Sequence, residues 1–445
     1  MSRADRRAQA PAAEEEGAVT GLTSAGEGVV HLGKTAFVDG ALPGERVRFR
    51  RTRRHRQHDD AQLLAVLEPA ASRVTPRCAH FGVCGGCVLQ HLDPAAQLIA
   101  KQAELSDSLT RVARAAPERW LPPLAGPAWG YRRRARLGVK YVHKKGCVVV
   151  GFRERAAPYV AQLTHCEVLA APAGELITPL AELIQGLSIR EQLPQIEVAV
   201  ADNATALVLR VLAPPSASDL EQLEGFAGRH AVRLYLQPGG LDTVAALGAV
   251  AEPLYYRLPR FDLDLEFLPT DFIQINGEVN AALAERAVEL LELNSGSRVL
   301  DLFCGIGNFT LPLARHAAVA LGVEGDAALI ARARANAARN HLGNAEFHVA
   351  NLAAPLPDLA WTRGPYTHVL LDPPRSGARE VLPALAAFAP QRVLYISCHP
   401  GSLARDLGVL VHEHGMTLEA AGVVAMFPHT AHVESIALLR SGRRA

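Results

Sequence analysis

Cys398, Asp372 and Glu434 each stand at one end of an apolar run. Cys398 closes RVLYISC (392–398), Asp372 closes THVLLD (367–372), and Glu434 opens the run 434–439 after FPHTAHV. A cysteine at such a place also packs well as a small hydrophobe, so its neighbours decide the reading. One neighbour is DLFCGIGNF (301–309), which reads as a strand, a glycine-rich turn and a helix start. Gly305 and Gly307 permit a tight turn and close approach of a ligand. Glu324 ends the next strand, where an acid can hold two ribose hydroxyls. The third glycine of G-x-G-x-x-G is absent, so no pyrophosphate cradle is expected. The pattern points to S-adenosylmethionine rather than a dinucleotide.

A thiol, two carboxylates and a methyl donor on one rim suit one reaction in particular. The C5 carbon of a pyrimidine is too poor a nucleophile to take a methyl group directly. Thiolate addition at C6 makes an enolate and loads charge onto C5, which then accepts the methyl. A base removes the C5 proton and the thiolate leaves. Cysteine suits the first and last steps because its thiolate both adds and departs readily. In LDPPRSGA (371–378) the two prolines stiffen the turn after Asp372. Asp-Pro-Pro also occurs in methyltransferases of exocyclic amino groups, usually with an aromatic residue next. Arg375 stands there instead and argues against that chemistry.

The elements that must position these residues form a βα alternation from residue 280 onward. It implies an α/β catalytic domain with an open, mostly parallel sheet over 266–445. Residues 17–70 read as short strands with glycine turns, a small β-barrel. Residues 71–265 read as an α+β middle domain, with helix 94–113 packing on the catalytic domain. Residues 1–16 read as a disordered tail, and they lack the apolar segment of a secretory signal. No stretch is long and apolar enough to suggest a membrane span. The chain of 445 residues carries a formal net charge of only +1, yet its charge is unevenly spread. Arg46–Arg56 holds seven arginines and Tyr131–Lys145 seven basic residues, neither with an acid. Such runs are ordinary solvated faces or contacts to a polyanion. Arg50, Arg51, Arg53 and Arg54 in the first, and Arg132, Arg133 and Arg134 in the second, are the candidate contacts to such a polyanion. A cytoplasmic monomer is the expectation.

DLFCGIGNFTLP, LDPPRSGA, YISCHP and MFPHTAHVES together resemble the RNA uracil-C5 methyltransferases, closest to the branch that acts on 23S ribosomal RNA. The resemblance covers nearly the whole chain, and the barrel looks like a TRAM domain. It implies a Rossmann-like methyltransferase fold, Cys398 as nucleophile and Glu434 as base. It implies cofactor contacts by Gln274, Phe303, Asn308, Glu324, Asn351 and Asp372. Transfer-RNA members lack both barrel and cysteine cluster, and another ribosomal RNA branch lacks the barrel. Having both favours 23S RNA as the substrate. The alternatives are uracil methylation in another RNA and a non-catalytic RNA-binding assembly factor.

Cys78-x5-Cys84-x2-Cys87 packs three soft ligands into ten residues, and zinc and iron–sulfur are both open on spacing alone. Cys166 is the first choice for a fourth ligand, ahead of Cys147 and His80. The family resemblance implies a [4Fe–4S] cluster on Cys78, Cys84, Cys87 and Cys166. Four protein thiolates leave no open iron for radical chemistry. Cys304 reads as a packed small residue.

Overall fold

The computed structural model describes residues 13–249, 252–354, 356 and 359–442. It divides into two compact units. One ends at Ala100 and includes His429–Ala431; the other comprises Lys101–Pro428 and His432–Ala445.

In the first unit five strands close a barrel: β1 (Glu14–Leu22), β2 (Gly28–Leu32), β3 (Lys34–Asp39), β4 (Arg46–Arg54) and β5 (His58–Glu68). Alternate residues such as Val30, Ala36, Val38, Val47 and Phe49 fill its interior. β1 begins inside the stretch expected to be a tail, whose residues 1–12 lie outside the described residues. The reason is charge complementarity across the β1–β4 pair. Glu14 meets Arg50 at 2.9 Å, Glu15 meets Arg51 at 2.8 Å, and Glu16 meets Arg48 at 2.8 Å. Turns follow up to α1 (Pro94–Ser108), capped by Asp93 Oδ1, which accepts from the Ala95 amide at 2.9 Å.

The first strand of the second unit is the two-residue β6 (Arg119–Trp120). Then come β7 (Arg134–Val142), β8 (Cys147–Gly151), α2 (Ile177–Gly186), β9 (Gln195–Val200) and β10 (Thr205–Arg210). After α3 (Ala217–His230), β11 (Val232–Gln237) and β12 (Ala245–Ala246) complete a sheet ordered β12-β11-β10-β9-β7-β8. α3 was not expected from periodicity. Its start is a capping box, in which Ser216 Oγ accepts from the Asp219 amide and Asp219 accepts from the Ser216 amide. β13 (Leu254–Leu258) and β14 (Leu263–Phe267) form a ribbon that leads to α4 (Gly277–Leu291).

The remaining elements are β15 (Arg298–Leu302), α5 (Thr310–Ala314), β16 (Val319–Glu324), α6 (Ala327–Arg339), β17 (Ala345–Val349), β18 (His368–Leu371), α7 (Leu382–Phe388), β19 (Arg392–Ser397), α8 (Pro400–His412), β20 (Met416–Val424) and β21 (Glu434–Ser441). They make an eight-stranded sheet ordered β17-β16-β15-β18-β19-β21-β20-β6. The first five strands in that order are parallel, and β21 runs against both its neighbours. β15, β18 and β19 are apolar and buried on both faces, as central parallel strands must be. The helical chain continues from α1 through a π turn at Leu109–Ala113 that packs on α8, where His412 Nε2 lies 2.9 Å from the Ala113 carbonyl.

Two expected boundaries move. Residues 71–100 belong with the barrel rather than with a middle domain. Residue 265 marks no boundary in packing. Leu254, Leu258, Phe261 and Phe267 share one core with Val208 and Tyr235 on one side and Leu283, Val299 and Leu370 on the other. No helix among the described residues is long and apolar enough to cross a membrane.

Candidate active site

The carboxyl ends of β15, β16, β18 and β19 open onto one cavity of about 560 Å³ in the second unit. Phe303, Gly305, Asn308 and Glu324 line it, as do Gln274, Asp372, Arg375, Cys398, Phe427 and Glu434. The reversed direction of β21 explains how a residue from the last strand arrives there. Ser397 pairs with Ser435, so the next residue on β19's side, Cys398, comes opposite Glu434. Ser435 Oγ ties the two strands further by donating to the Ser397 carbonyl at 3.2 Å.

The glycine loop is held in a conformation that its own residues resist. Phe303 has φ of 68°, a region that a bulky side chain seldom occupies, and its amide donates to the Val323 carbonyl at 2.9 Å. This bend turns the loop across the end of β16. There the Glu324 carboxylate accepts from the Gly305 amide at 3.3 Å and the Gly325 amide at 2.6 Å. Gly322 is needed beneath the loop: a Cβ there would come within 2.9 Å of the Cys304 Sγ and 2.8 Å of the Phe347 ring. Cys304 is thus a packed residue, as expected.

Burial dominates the electrostatics. It pushes the Asp372 carboxyl up to about 7, against a lowering hydrogen bond from Gln274 Nε2 at 3.4 Å. Glu434 is 4% exposed and is pushed well above the usual carboxylate range, first by burial and then by Asp372, while Lys101 opposes the shift. Asp301 beneath the loop is pushed up to about 8, and Thr310 Oγ1 donates to it at 2.5 Å. The half-buried Cys398 thiol is raised to about 11 by burial, then by Glu434 and Asp372, against the pull of Arg375. A raised pKa means less thiolate at neutral pH. Alkylation of Cys398 by iodoacetamide should therefore climb about tenfold per pH unit from about pH 7 to about pH 10. Peptide-resolved mass spectrometry, with Cys398→Ala as blank, reads this out. A plateau below about pH 9 would contradict the burial argument.

Of the sequence-predicted residues, the cavity gathers Cys398, Glu434, Gln274, Phe303, Asn308, Glu324 and Asp372. It does not gather Asn351, which is exposed and accepts from the Ala353 amide at 3.0 Å in a local turn. Sequence reasoning missed Tyr256, whose hydroxyl donates to Asn308 Oδ1 at 2.9 Å. It also missed Asn280, which exchanges two hydrogen bonds with Asn308 at 2.8 and 2.9 Å. These two orient the Asn308 amide from β13 and α4, and no short motif signals such a distant contact.

The basic runs are less available than their composition suggested. Arg50 pairs with Glu14, and Arg51 with Glu15 and Asp59. Arg133 meets Asp202 at 2.6 Å, and Arg134 reaches Glu197 at 3.4 Å. Arg53 and Arg54 are exposed, and Arg132 lies over the Phe152 ring. In the first unit Cys78 and Cys84 are half-buried and Cys87 is buried, on a run of tight turns. The Gly86 amide donates to Cys84 Sγ at 3.4 Å. Cys166, buried in the second unit, donates its amide to the Gly174 carbonyl at 3.2 Å. None of the four is in a disulfide.

Residues 261–442 match a family model described as tRNA (Uracil-5-)-methyltransferase. The chain is 51% identical over 437 residues to a 23S rRNA (uracil(1939)-C(5))-methyltransferase RlmD of Alkalilimnicola ehrlichii, covering 98% of each chain. It is 50% identical over 434 residues to the protein of the same name from Nitrosococcus oceani, covering 97% of each. Its fold matches that of a Pyrococcus abyssi tRNA (uracil-54, C5)-methyltransferase, solved with S-adenosyl-L-homocysteine. That likeness has a TM-score of 0.73 at 22% identity, over 96% of this chain and 100% of that one.

Proposed function

The chain belongs to the RNA uracil-C5 methyltransferase family, and from that premise we propose that it methylates C5 of a uracil in 23S ribosomal RNA. The observation that carries this reading is the shared cavity, in which Cys398 and Glu434 face the same space as the glycine loop and Glu324. The residues present suit S-adenosylmethionine. Glu324 offers a carboxylate for ribose hydroxyls, and the bent loop at Phe303–Gly305 leaves room for a nucleoside. Asn308 offers an amide fixed by Tyr256 and Asn280. When bound, S-adenosylmethionine supplies an electrophilic methyl group.

The chain's own residues do the rest. Gln274 and Asp372 present an amide beside a carboxyl in the same cavity and are proposed, as the resemblance implies, to contact the cofactor. Cys398 gives its proton to solvent, and its thiolate sulfur bonds C6 of the ring as the C5–C6 π electrons move toward the C4 carbonyl, which makes C5 electron-rich. After C5 is methylated, Glu434 takes the C5 proton, the C5–C6 double bond re-forms and the C6–sulfur bond breaks. Uracil in folded RNA must leave its stack to reach this depth. Arg53 and Arg54 on the barrel, and Arg132, are proposed to hold phosphates around it. The protein acts as a cytoplasmic monomer.

The cysteines belong to the same proposal. Cys78, Cys84 and Cys87, with Cys166 as the fourth thiolate, are read as the ligands of a structural [4Fe–4S] cluster. The amide donated to Cys84 Sγ is the kind of support a metal-bound thiolate uses. Anaerobically purified protein should contain about four irons and four sulfides per chain. A single zinc without iron would overturn this assignment.

The function itself is tested by mapping uracil methylation in ribosomal RNA from cells with and without the gene. One C5-methyluridine of 23S RNA should vanish on deletion and return with wild type but not with Cys398→Ala. An unchanged 23S map, or a loss confined to transfer RNA, would refute the substrate assignment.

A further inference from the structure

Glu434 is asked to collect a proton from carbon, so it must be ionised when the methylated adduct forms. The cavity works against that, because burial and the neighbouring Asp372 both favour its neutral form. Asp372 after β18, Cys398 after β19 and Arg375 share the cavity with Glu434, and Lys101 on α1 is the cation that favours its ionised form.

Lys101 is an unusual residue to find where it is. Its side chain is 4% exposed, and its Nζ donates to the Phe427 carbonyl at 2.9 Å. Phe427 lines the cavity with Glu434, and Lys101 belongs to α1. Burying an ammonium group costs several kcal/mol unless a nearby charge offsets it. Glu104 and Glu434 are the anions that raise its proton affinity, yet burial still holds it down to about 8. A charge kept at that cost, against the wall of a reaction cavity, calls for a function.

We propose that Lys101 is a positioning residue for the proton-removal step, acting through Glu434. Its ammonium keeps the Glu434 carboxylate ionised, and its hydrogen bond to Phe427 fixes the segment that leads into β21. The inference rests on the reading of Glu434 as the base. Without the cation, fewer molecules hold an ionised Glu434 at neutral pH. The C5 proton then stays on the adduct, and the C6–sulfur bond cannot break.

The test is single-turnover methylation of an unmodified 23S RNA fragment by Lys101→Met and Lys101→Arg across about pH 6 to 10. Denaturation-resistant protein–RNA adduct and released methylated RNA are measured separately. A neighbouring opposite charge favours the ionised carboxylate, and losing about a factor of ten in that form should lower release by Lys101→Met at pH 7 roughly 10-fold. Methylated adduct should accumulate, while RNA affinity and the rate of adduct formation hold steady. The deficit should close as pH rises through 8, where Lys101 of the wild type loses its own proton. Lys101→Arg should recover most of the loss, and Lys101→Gln serves as the neutral variant if the methionine protein does not fold. A deficit equal at every pH without adduct, or no deficit, overturns the inference. If Glu434→Gln traps adduct and the neutral Lys101 variants do not, this inference alone falls. If none of them traps adduct, the assignment of Glu434 as base falls with it.

Discussion

Cys398→Ala should form no measurable C5-methyluridine, a loss of about 10,000-fold or more in single-turnover rate. Without the thiol no bond forms at C6, and C5 stays too electron-poor to take a methyl group. A general electrostatic defect would lower the rate far less. The change removes one sulfur at a half-buried position on the cavity wall, so binding of the RNA fragment should persist within a few-fold of wild type. Filter binding beside the rapid-quench assay separates the two effects. A mutant that still methylates within tenfold of wild type would remove the covalent mechanism.

Glu434→Gln should have a different signature. Loss of a general base costs about 100- to 10,000-fold, but here the block falls after methylation. The mutant should consume one methyl group per active site and stall with the RNA attached through Cys398. On a denaturing gel it should run as a protein–RNA band carrying label from the methyl donor. Free methylated RNA released at the wild-type rate would place the base elsewhere. Because burial and Asp372 raise the Glu434 carboxyl, wild-type release should itself slow as pH falls. The group must be ionised to act, and acid removes that form.

Much of the site was legible because its residues sit at ends of buried strands. β16, β18 and β19 are short, largely buried runs, and each meets its functional residue where the run stops. That regularity put Glu324, Asp372 and Cys398 on one rim before any coordinates. The pairing of Cys398 with Glu434 depends on register and on the reversed direction of β21, which local sequence does not encode. Tyr256, Asn280 and Lys101 escaped for a related reason. Each acts over a long sequence distance, through a contact that only packing creates.

The basic runs show the same limit. Their charge was plain, but the acids that neutralise it come from elsewhere: Glu14 and Glu15 on β1, Glu197 on β9 and Asp202 just beyond. The missed helix α3 differs, since its capping box Ser216-x-x-Asp219 was readable. Leu223 and Phe226 are the large apolar side chains it buries, so its periodicity was faint beside the signal at its start. The moved boundary at 265 reflects the ribbon β13–β14, whose apolar face serves two sheets at once.

The covalent step can be observed directly. Glu434→Gln incubated with the RNA and methyl donor, then digested with nuclease and protease, should yield one modified peptide containing Cys398. Its added mass should equal a uridine nucleotide carrying one methylation, and fragmentation should place that methylated nucleotide on the Cys398 sulfur. If methylated RNA forms and no peptide carries that mass, or if the nucleotide is attached at another residue, Cys398 is not the nucleophile.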